Sequence, residues 1–355
     1  MQELQSQDLK HHLSQPLRIG TRTLTNRLVF APMSGLGHVA FRELLAEYGH
    51  YGLLFSEMSS AKAIPHENRQ VSLNFRWRDA ERHSMVWQIL GNSPNDMAKA
   101  ARRIAKEGFF GVDINFSCSV ARICKRGMGA FLLKKPDLAI DIVKAVRDAV
   151  DIPLWVKFRT GWLDKDKRIQ LEPSGLLNQA IDFAGKLSEA GTDAITFHPR
   201  VAPDRRTRPP KWSHIAKIKQ AVSIPVFGNG NVFDASDCHE MFDKTACDGI
   251  SLGRIALAKP WIFAELNGVF QANDNTYKEA ILTFIHLLEK HYDQHHALKR
   301  FYKFSRYYCS SFRFGNNLRA NIRKSTTFEE IKEVLTHFFE SPVMLNQRLN
   351  ENLIV

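Results

Sequence analysis

The segment INFSCSVARICKRGMGA at residues 114–130 places a thiol, Cys118, where a run of apolar residues gives way to a basic loop. A second cysteine, Cys124, follows in the same loop. The chain has five cysteines, an odd number, and no two of them have the C-x-x-C spacing. This pattern argues against a disulfide framework and a zinc site, so we predict no metal centre and consider the chemistry of a free thiol.

Polar side chains recur at the ends of the other apolar runs. A single Asn or Gln at such a position is often only a loop cap. Because the loops after parallel barrel strands converge on one face, a polar residue at every run end favours one common site. These residues are, in chain order, Ser34, Glu57, Gln88, Asn115 with Cys118, Lys157 with Arg159, His198 with Arg200, Asn229, and Gly253 with Arg254.

The last two run ends predict a phosphate site. GNG at 228–230 and LGR at 252–254 place small residues and backbone N–H groups after the seventh and eighth runs. Barrels commonly bind phosphate at these two strand ends, and Arg254 would add a charge-assisted hydrogen bond. A glycine turn also explains either motif alone, whereas the pair at consecutive run ends favours an anion.

Lys157 and Gln88 indicate which molecule carries the phosphate. Lys157 lies inside LWVKFR, where a charged side chain is tolerated only if it faces a polar site. A cation there suits the pyrimidine edge of a reduced isoalloxazine, and Gln88 would hydrogen-bond the same edge. Because no G-x-G-x-x-G motif follows a run, a dinucleotide-binding fold finds no support. We therefore predict flavin mononucleotide (FMN) as the cofactor.

Eight apolar runs would position these side chains. Each is bounded by Gly, Pro or Asx and is followed by an amphipathic stretch such as SPNDMAKAARRIAKEG at 93–108. Eight such units in about 240 residues predict an α/β fold, a (β/α)8 TIM barrel. A doubly wound sheet is the alternative. The runs span residues 27–33, 51–57, 85–90, 111–116, 154–159, 193–199, 224–230 and 249–254.

The pattern changes after the last run. Residues 277–340 have no strand signal and predict three or four helices, with NGVFQANDN at 267–275 as the joint. We therefore predict an N-terminal extension at 1–24, an FMN-binding TIM barrel at 25–266 and a C-terminal all-helical domain at 275–345 that binds RNA.

Composition and charge limit the possible locations and partners of the protein. The chain has 355 residues, 44% of them hydrophobic, and shows neither a signal-peptide pattern nor a long apolar run. We expect a cytoplasmic protein that enters no membrane, and a monomer, because nothing in the sequence requires a second subunit. The formal net charge of +12 favours a polyanionic partner.

The motifs, in their order and spacing, resemble the tRNA-dihydrouridine synthase family over residues 25–340. The tail ALKRFYKFSRYYCSSFRFGNNLRANIRKSTTFEEI is similar to that family's C-terminal helical domain. The resemblance implies an NADPH-dependent flavoenzyme that reduces the C5=C6 bond of uracil in tRNA to 5,6-dihydrouridine. The barrel segments that carry it are APMSGLGHVAFRELLAEYG, QILGNSPNDMAKAARRIAKEGFFGVDINFSCS, GAFLLKKPDLAIDIVKAV, VKFRTGW, IPVFGNGNV and SLGRIALAKPWIF.

The resemblance also implies roles for individual residues. Cys118 occupies the place of the family's cysteine that gives a proton to C5 while flavin N5 delivers hydride to C6. A thiol with an ordinary pKa of about 8.5 is mostly protonated at neutral pH and can act as this acid. Cys124 matches no catalytic position, and we interpret it as structural. The residues implied to line FMN are Pro32, Met33, Ser34, Gln88, Lys157, His198, Asn229, Gly230, Asn231, Gly253 and Arg254.

Three motifs depart from the family pattern. Serines flank Cys118 where the family has Gly and Pro, Pro199 follows His198 in place of Gly, and Asn231 stands where an acid is common. These changes bear on which uridine or which RNA is reduced rather than on FMN.

Basic residues near the site and in the tail are the candidates for RNA contacts. Residues 297–324 carry eight basic residues, no acid and seven aromatics. We expect the aromatics to be mainly core and the basic residues to face RNA, with salt-dependent binding. The loops after runs four to six add Arg122, Lys125, Arg126, Lys165, Lys167 and Arg208. The RNA- and substrate-binding candidates are Asn115, Arg159, Arg200, Arg205, Arg206, Lys299, Arg300, Arg306, Arg313, Arg319 and Arg323.

Three alternative functions stay open at this level. The segment PLRIGTRTLTNRLVFAPM at 16–33 also resembles the start of ene-reductases related to old yellow enzyme, although those small-molecule reductases lack a basic helical tail. A dihydrouridine synthase acting on another RNA, such as rRNA, is the second. An RNA-binding protein that has lost reduction is the third, and the presence of Cys118 and Lys157 argues against it. We expect no DNA partner.

Overall fold

Eight parallel strands form a barrel in the computed structural model, which describes residues 9–163, 173–203 and 208–354. A hairpin precedes the barrel, and one short strand is added to its rim. The strands are β1 (Leu17–Ile19), β2 (Arg22–Leu24), β3 (Leu28–Phe30), β4 (Leu53–Phe55), β5 (Ser59–Ser60), β6 (Met85–Leu90), β7 (Gly111–Phe116), β8 (Leu154–Trp162), β9 (Ala194–Ala202), β10 (Val226–Asn229) and β11 (Gly249–Leu252).

The barrel closes because β4 pairs with β3 on one side and with β6 on the other. From β3 the strands continue in the order β11, β10, β9, β8, β7 and β6, and every neighbouring pair is parallel. The short β5 pairs with the carboxyl-terminal end of β6. Each of the eight apolar runs coincides with one barrel strand or with the first part of one, so the TIM-barrel prediction is confirmed. The pairing of β4 with β6 excludes the doubly wound sheet, which has two open edges.

An apolar layer fills the amino-terminal part of the barrel. Its centre is Trp155, whose ring centroid lies 5.4 Å from that of Phe55 and 5.3 Å from that of Phe227. The hairpin of β1 and β2 adds Ile19 and Leu24 to the same layer. The hairpin thus covers this end of the barrel, and the polar strand ends gather at the opposite, carboxyl-terminal end.

Amphipathic helices cover the outside of the barrel. In α2, the Ser93 hydroxyl caps the helix by accepting from the Asp96 N–H at 3.3 Å, and Pro94 occupies the first position. Met97 and Ile104 face the strands from the buried side of that helix. The helices are α1 (Val39–Tyr48), α2 (Pro94–Lys106), α3 (Ala121–Cys124), α4 (Pro136–Arg147), α5 (Pro173–Glu189), α6 (Ser213–Ala221), α7 (Ala235–Thr245), α8 (Arg254–Ala258) and α9 (Ile262–Leu266), with 3-10 turns at Ile64–His66, Asp79–Ser84 and Gly129–Lys134.

The C-terminal region is helical, as predicted. Side chains at three helix starts cap the backbone: Asn273, Asp293 and Thr327 each accept an N–H from the first turn of the helix that follows. In the described ranges no helix is long and apolar enough to cross a membrane. The helices are α10 (Asp274–His291), α11 (Gln294–Cys309), α12 (Gly315–Lys324), α13 (Phe328–Phe338) and the short α14 (Glu351–Ile354).

Aromatic side chains join the helical region to the barrel. The ring centroid of Phe284 on α10 lies 5.9 Å from that of Phe41 on α1 and 4.3 Å from that of Phe304 on α11. The prediction that the tail aromatics are mainly core is confirmed, although Tyr302 is only half-buried and Phe314 is exposed. The buried ones are Phe301, Phe304, Tyr307, Tyr308 and Phe312.

The last described segment returns to the barrel. Arg348 pairs with Asp234 at 3.2 Å and with Asp237 at 3.0 Å, at the start of α7. Ile354 is buried, and its backbone oxygen accepts a hydrogen bond from Arg254 at 3.3 Å. The chain end thus packs beside the loops that follow the last two barrel strands.

Candidate functional site

A cavity of about 1320 Å³ lies at the carboxyl-terminal ends of the barrel strands. It brings together residues that are more than 200 positions apart in the chain, because parallel strands deliver their following loops to the same face. Lys303 and Tyr307 of α11 also line it, so the helical region reaches the site. The predicted site residues on its walls are Pro32, Met33, Ser34, Gln88, Asn115, Cys118, Lys157, Arg159, His198, Arg200, Asn229, Gly230, Asn231, Gly253 and Arg254.

Two arginines meet on Asn231 at one end of the cavity. Arg200 and Arg254 each donate a hydrogen bond to Asn231 Oδ1, at 2.9 and 2.6 Å. The backbone reaches this geometry through φ values of +122° at Gly230 and +54° at Asn231, a region that Gly and Asn tolerate best. The Asn231 side chain is neutral and adds no negative charge to this pair of guanidinium groups, and two guanidinium groups on one turn suit an anion.

His198 has a defined tautomer. Asn229 Nδ2 donates to the Ser251 backbone oxygen at 2.7 Å, which turns Asn229 Oδ1 toward His198 Nδ1, also at 2.7 Å. His198 Nδ1 must therefore carry the proton, and Nε2 accepts from Arg200 at 3.2 Å. Burial holds the pKa of His198 well below its usual value, and the charges of Arg159 and Lys157 lower it further. The imidazole is neutral at physiological pH.

Lys157 faces the centre of the cavity from β8. Its Nζ lies 3.4 Å from the Ser117 hydroxyl, and the residue is 7% exposed. Burial lowers the pKa of Lys157, as does Arg159, whereas the carboxylate of Asp113 raises it. Asp113 is fully buried beside it on β7, and burial raises the pKa of that carboxyl group. The site thus places an amine near a buried carboxyl group, and the charge of each favours the charged form of the other.

Asn115 shapes the loop that carries Cys118. Its Oδ1 accepts the backbone N–H groups of Ser117 at 3.0 Å and Cys118 at 2.8 Å, a local turn typical of Asn. Its Nδ2 donates to Gln88 Oε1 at 2.8 Å. The Cys118 side chain is partly exposed and faces the cavity.

The second cysteine of the loop supports the first. Cys124 is buried, and its Sγ donates to the Cys118 backbone oxygen at 3.4 Å. Burial raises the pKa of the Cys124 thiol. Gly129 has a φ of +64°, and a Cβ there would lie 2.6 Å from the same Cys118 oxygen. Gly129 is therefore required for the loop to fold over Cys118.

The remaining loop candidates surround the cavity mouth. Arg159 Nε donates to the Ser117 backbone oxygen at 2.7 Å, and Arg208 is also part of the cavity wall. The side chains of Arg122, Lys125 and Arg126 are exposed in the Cys118 loop. Lys165, Lys167, Arg205 and Arg206 lie outside the described residues.

The basic residues of the tail fall into two groups. Lys299, Arg313 and Arg323 are exposed, whereas Arg300, Arg306 and Arg319 are half-buried. Arg300 lies over the ring of Tyr292 at 4.0 Å and donates to the Leu73 backbone oxygen at 3.2 Å. Its guanidinium therefore joins α11 to a barrel loop.

Sequence reasoning missed several residues of the site, of which three bear on its chemistry. Asp113 lies in the apolar run GVDINF, and the argument applied to Lys157, a charge inside a buried strand, would have found it. Lys303 and Tyr307 belong to the basic, aromatic tail, but no local pattern shows that α11 reaches the cavity. In the part of the chain that the structure describes, no three His, Cys, Asp or Glu side chains are grouped to hold a metal ion.

Comparison with known proteins identifies the family. A model described as dihydrouridine synthase (Dus) matches residues 29–343, which include the cavity, the Cys118 loop and α10 to α13. The chain belongs to the dihydrouridine synthase family. It is thus an enzyme of the family whose product is dihydrouridine, a reduced form of uridine.

Two relatives show how far the family likeness extends. The probable tRNA-dihydrouridine synthase 1 of Synechocystis sp. is 30% identical over 328 residues, which are 91% of this chain and 89% of that protein. The tRNA-dihydrouridine synthase B of Pseudomonas syringae pv. tomato is 37% identical over 251 residues, which are 70% of each chain. The first match extends over both the barrel and the helical region.

Solved structures show the same fold at lower identity. TcOYE with pHBA aligns with a TM-score of 0.52 and 13% identity, over 76% of this chain and 96% of that one. Morphinone reductase aligns with a TM-score of 0.50 and 15% identity, over 77% and 92%. At this level of identity the likeness establishes the barrel fold.

Proposed function

We propose that the protein reduces the C5=C6 bond of specific uridines in tRNA, giving 5,6-dihydrouridine, with FMN in the cavity and NADPH as the reductant. The observation that carries the proposal is the position of Cys118 on the wall of a cavity whose other end holds Arg200 and Arg254 on Asn231. The family match and the tRNA in the names of its relatives support the substrate.

The residues of the cavity fit FMN. The FMN phosphate would bind to Arg200, Arg254 and the turn at Gly230. We therefore assign Arg200 to the phosphate rather than to the uridine. Lys157 and Gln88 would hold the pyrimidine edge of the isoalloxazine, where a reduced flavin carries negative charge. When bound, FMN supplies the hydride that C6 of the uracil receives.

Cys118 would supply the matching proton. The thiol proton goes to C5, so the base gains a hydride and a proton in total, and the sulfur is left as a thiolate that takes a proton back from water. Lys157 is close enough to Cys118 for their charges to interact. A protonated Lys157 would therefore stabilise the thiolate that the transfer leaves.

The RNA would approach along α11 and α12. Lys303 and Tyr307 sit at the cavity, and the charges of Arg306 and Arg323 are close enough to Arg319 to lower its pKa, although burial is the larger cause. RNA phosphates placed beside these arginines would relieve their mutual repulsion. We assign Arg300 to the joint with the barrel and the exposed basic residues to the RNA.

The test is a map of dihydrouridine at nucleotide resolution, on tRNA and rRNA from cells with and without the gene. We expect one or a few tRNA sites to be lost on deletion and restored by the wild-type gene. Cys118→Ala should not restore them, because it removes the acid, whereas Cys124→Ala should, because that thiol only supports the loop.

The controls separate loss of chemistry from loss of folding. Each purified variant should keep the flavin absorption of the wild type, and NADPH should reduce that flavin in the absence of air faster than NADH. An unchanged dihydrouridine map would overturn the proposed substrate. Full restoration of the sites by Cys118→Ala would overturn the proton donor. Rapid oxidation of the reduced enzyme by simple enones but not by tRNA would point instead to a small-molecule reductase.

A further inference from the structure

A buried carboxylate begins a chain of hydrogen bonds that ends at Cys118. Asp113 Oδ2 accepts from Gln88 Nε2 at 2.6 Å, and Gln88 Oε1 accepts from Asn115 Nδ2 at 2.8 Å. Asn115 Oδ1 then accepts the backbone N–H groups of Ser117 and Cys118. Three side chains and the loop backbone are therefore connected in one direction, from the barrel interior to the loop that carries the thiol.

The chain lies inside the barrel. Asp113 is 0% exposed, Gln88 1% and Asn115 6%. The register of the strands places Gln88 beside Asp113, and Asn115 follows two positions later on the same face of β7. Neither amide can exchange its partners with bulk water, so each depends on its neighbours for the choice between donor and acceptor.

The carboxylate determines the direction of every bond in the chain. In its ionised form, which the Gln88 hydrogen bond and the charge of Lys157 favour by lowering the pKa, the carboxyl group of Asp113 only accepts, so it selects the Nε2 end of Gln88. Gln88 Oε1 then faces Asn115, which must donate a hydrogen bond from Nδ2. The Oδ1 atom of Asn115 therefore faces the loop. Without this acceptor, an amide flip at Gln88 would also turn Asn115, and the N–H groups of Ser117 and Cys118 would lose their acceptor.

A purely structural role would not explain why a carboxyl group is buried at position 113. Burying a carboxylate is unfavourable unless it is paired and hydrogen-bonded, and an apolar residue would fill the same space more cheaply. Asp113 Oδ1 is buried and has no hydrogen-bond partner among the described residues. A carboxyl group is therefore present where an apolar residue would pack as well, close enough to Lys157 for their charges to interact.

We propose that Asp113 is a positioning residue, which fixes the orientation of the Gln88 and Asn115 amides and through them the loop that places Cys118 in the cavity. The role of Asp113 in catalysis rests on the proposed function, because it acts through Cys118. The positioning itself is a property of the protein without RNA, and it can be measured separately.

The readout is the alkylation rate of Cys118 by iodoacetamide in the purified full-length, flavin-loaded enzyme. The other four cysteines are buried, so Cys118 is the thiol that reacts, and Cys118→Ala verifies the assignment. Asp113→Asn keeps the shape of the side chain but no longer forces Gln88 to donate. We expect it to raise the alkylation rate about tenfold, the effect of losing one well-made buried hydrogen bond.

A reversed pair gives the decisive comparison. In Asp113→Asn with Gln88→Glu, residue 113 donates to residue 88, whose carboxylate still accepts from Asn115 Nδ2. The loop geometry is thereby restored, and the alkylation rate should return to within about twofold of wild type. Because Gln88 is also assigned to the flavin edge, this pair and the wild type are compared after the flavin has been removed from both. Asp248→Asn is the control, because Asp248 is a half-buried carboxyl group that accepts an N–H group, that of the Val226 backbone at 2.8 Å, and it lies away from the loop; it should react like wild type.

Three results would overturn the proposal: a wild-type rate in Asp113→Asn, a rate in the reversed pair as high as in Asp113→Asn, or the same rise in Asp248→Asn. The last would indicate general loosening of the barrel. Because no RNA or NADPH is present, a failure of the proposed reaction, seen as an unchanged dihydrouridine map, is a separate result.

Discussion

At the scale of single residues, neutral amides organise the charges of the site. Asn231 joins Arg200 to Arg254, Asn229 fixes the tautomer of His198, and Asn115 holds the Cys118 loop. An amide oxygen accepts a hydrogen bond from a cation or an N–H group but adds no negative charge. The residue that joins the two arginines therefore adds no negative charge to that end of the site.

Arg254 provides the test of that positive end. Arg254→Met should weaken FMN binding about 10- to 100-fold, because a hydrogen bond between charged groups contributes about 1.5–3 kcal/mol. Fluorescence titration of the apoprotein measures this, and riboflavin, which has no phosphate, is the control ligand. Riboflavin affinity should change little. An equal loss for both ligands would show that Arg254 supports the fold rather than the phosphate.

The residue types of the site could be predicted from sequence, but their pairings could not. A charged or amide side chain at the end of an apolar run is expected to face the site at the shared end of the barrel. This expectation identifies Gln88 and Lys157. The convergence of Arg200 and Arg254 on Asn231 depends on loop conformations after different strands. No spacing in the sequence specifies such a contact.

At the scale of elements, buried parallel strands were the clearest signal. Runs such as 85–90 and 111–116 match β6 and β7 at both ends, because Gly, Pro or polar residues bound them. The strands β8 and β9 extend to Trp162 and Ala202, beyond the predicted ends, because after a register shift Gly161 pairs with Val201 and Trp162 with Ala202. The hairpin of β1 and β2 was missed because three-residue strands are too short to show alternation.

Gly129 tests the folding of the Cys118 loop. Gly129→Ala should destabilise the protein by about 1–3 kcal/mol, because its φ is left-handed and the added Cβ would meet the Cys118 backbone oxygen. Gly185→Ala is the matched control: it lies within α5, and a Cβ there meets nothing within 4 Å in the described chain. That variant should gain up to about 1 kcal/mol. Urea unfolding compares the two, and equal effects would contradict the account of the loop.

His38 links the start of α1 to α10. Its buried ring stacks on Phe284 and meets the edge of Tyr292, and neither ring nitrogen has a hydrogen-bond partner among the described residues. Burial holds its pKa well below the usual value, and the cationic groups that face it lower the pKa further. These groups are Arg300, Arg42, His291 and Lys303.

The pH dependence of stability follows from this burial. The unfolded chain takes up a proton at His38 near pH 6.5 while the folded protein does not, so stability falls as the pH drops below that value, by up to about 1.4 kcal/mol per pH unit. His38→Phe should reduce this slope by one proton between pH 7.5 and 5.5 in urea unfolding. An unaltered slope in His38→Phe would refute the assignment.

At the scale of the whole molecule, the helical region both packs on the barrel and extends its site. Phe284 and Phe304 pack against α1, while Lys303 and Tyr307 reach the cavity. The same helix α11 therefore supplies an apolar face to the core and a polar face to the substrate side. Sequence composition predicted both properties, but not that they would belong to one helix at the cavity edge.

The tail arginines placed beside the RNA and the arginine that joins α11 to the barrel should differ in their response to salt. Arg319→Gln with Arg323→Gln should weaken tRNA binding and reduce the slope of log affinity against log salt by about 0.7 to 0.9 for each phosphate that these arginines bind in the wild type. Arg300→Gln should keep the slope and lower the melting temperature, because it removes the interactions with Tyr292 and Leu73. Filter binding at several salt concentrations measures the slope, and a reversal of the two results would exchange the proposed roles.

The aromatic layer beneath the site has an optical consequence. Trp155 is two residues before Lys157 on the same face of β8, about 7 Å along the strand, so its indole lies directly below the proposed flavin position. Indole emission overlaps flavin absorption, and energy transfer at such a separation is efficient. The protein therefore contains its own donor fluorophore for the bound cofactor, and occupancy of the cavity can be followed without a label.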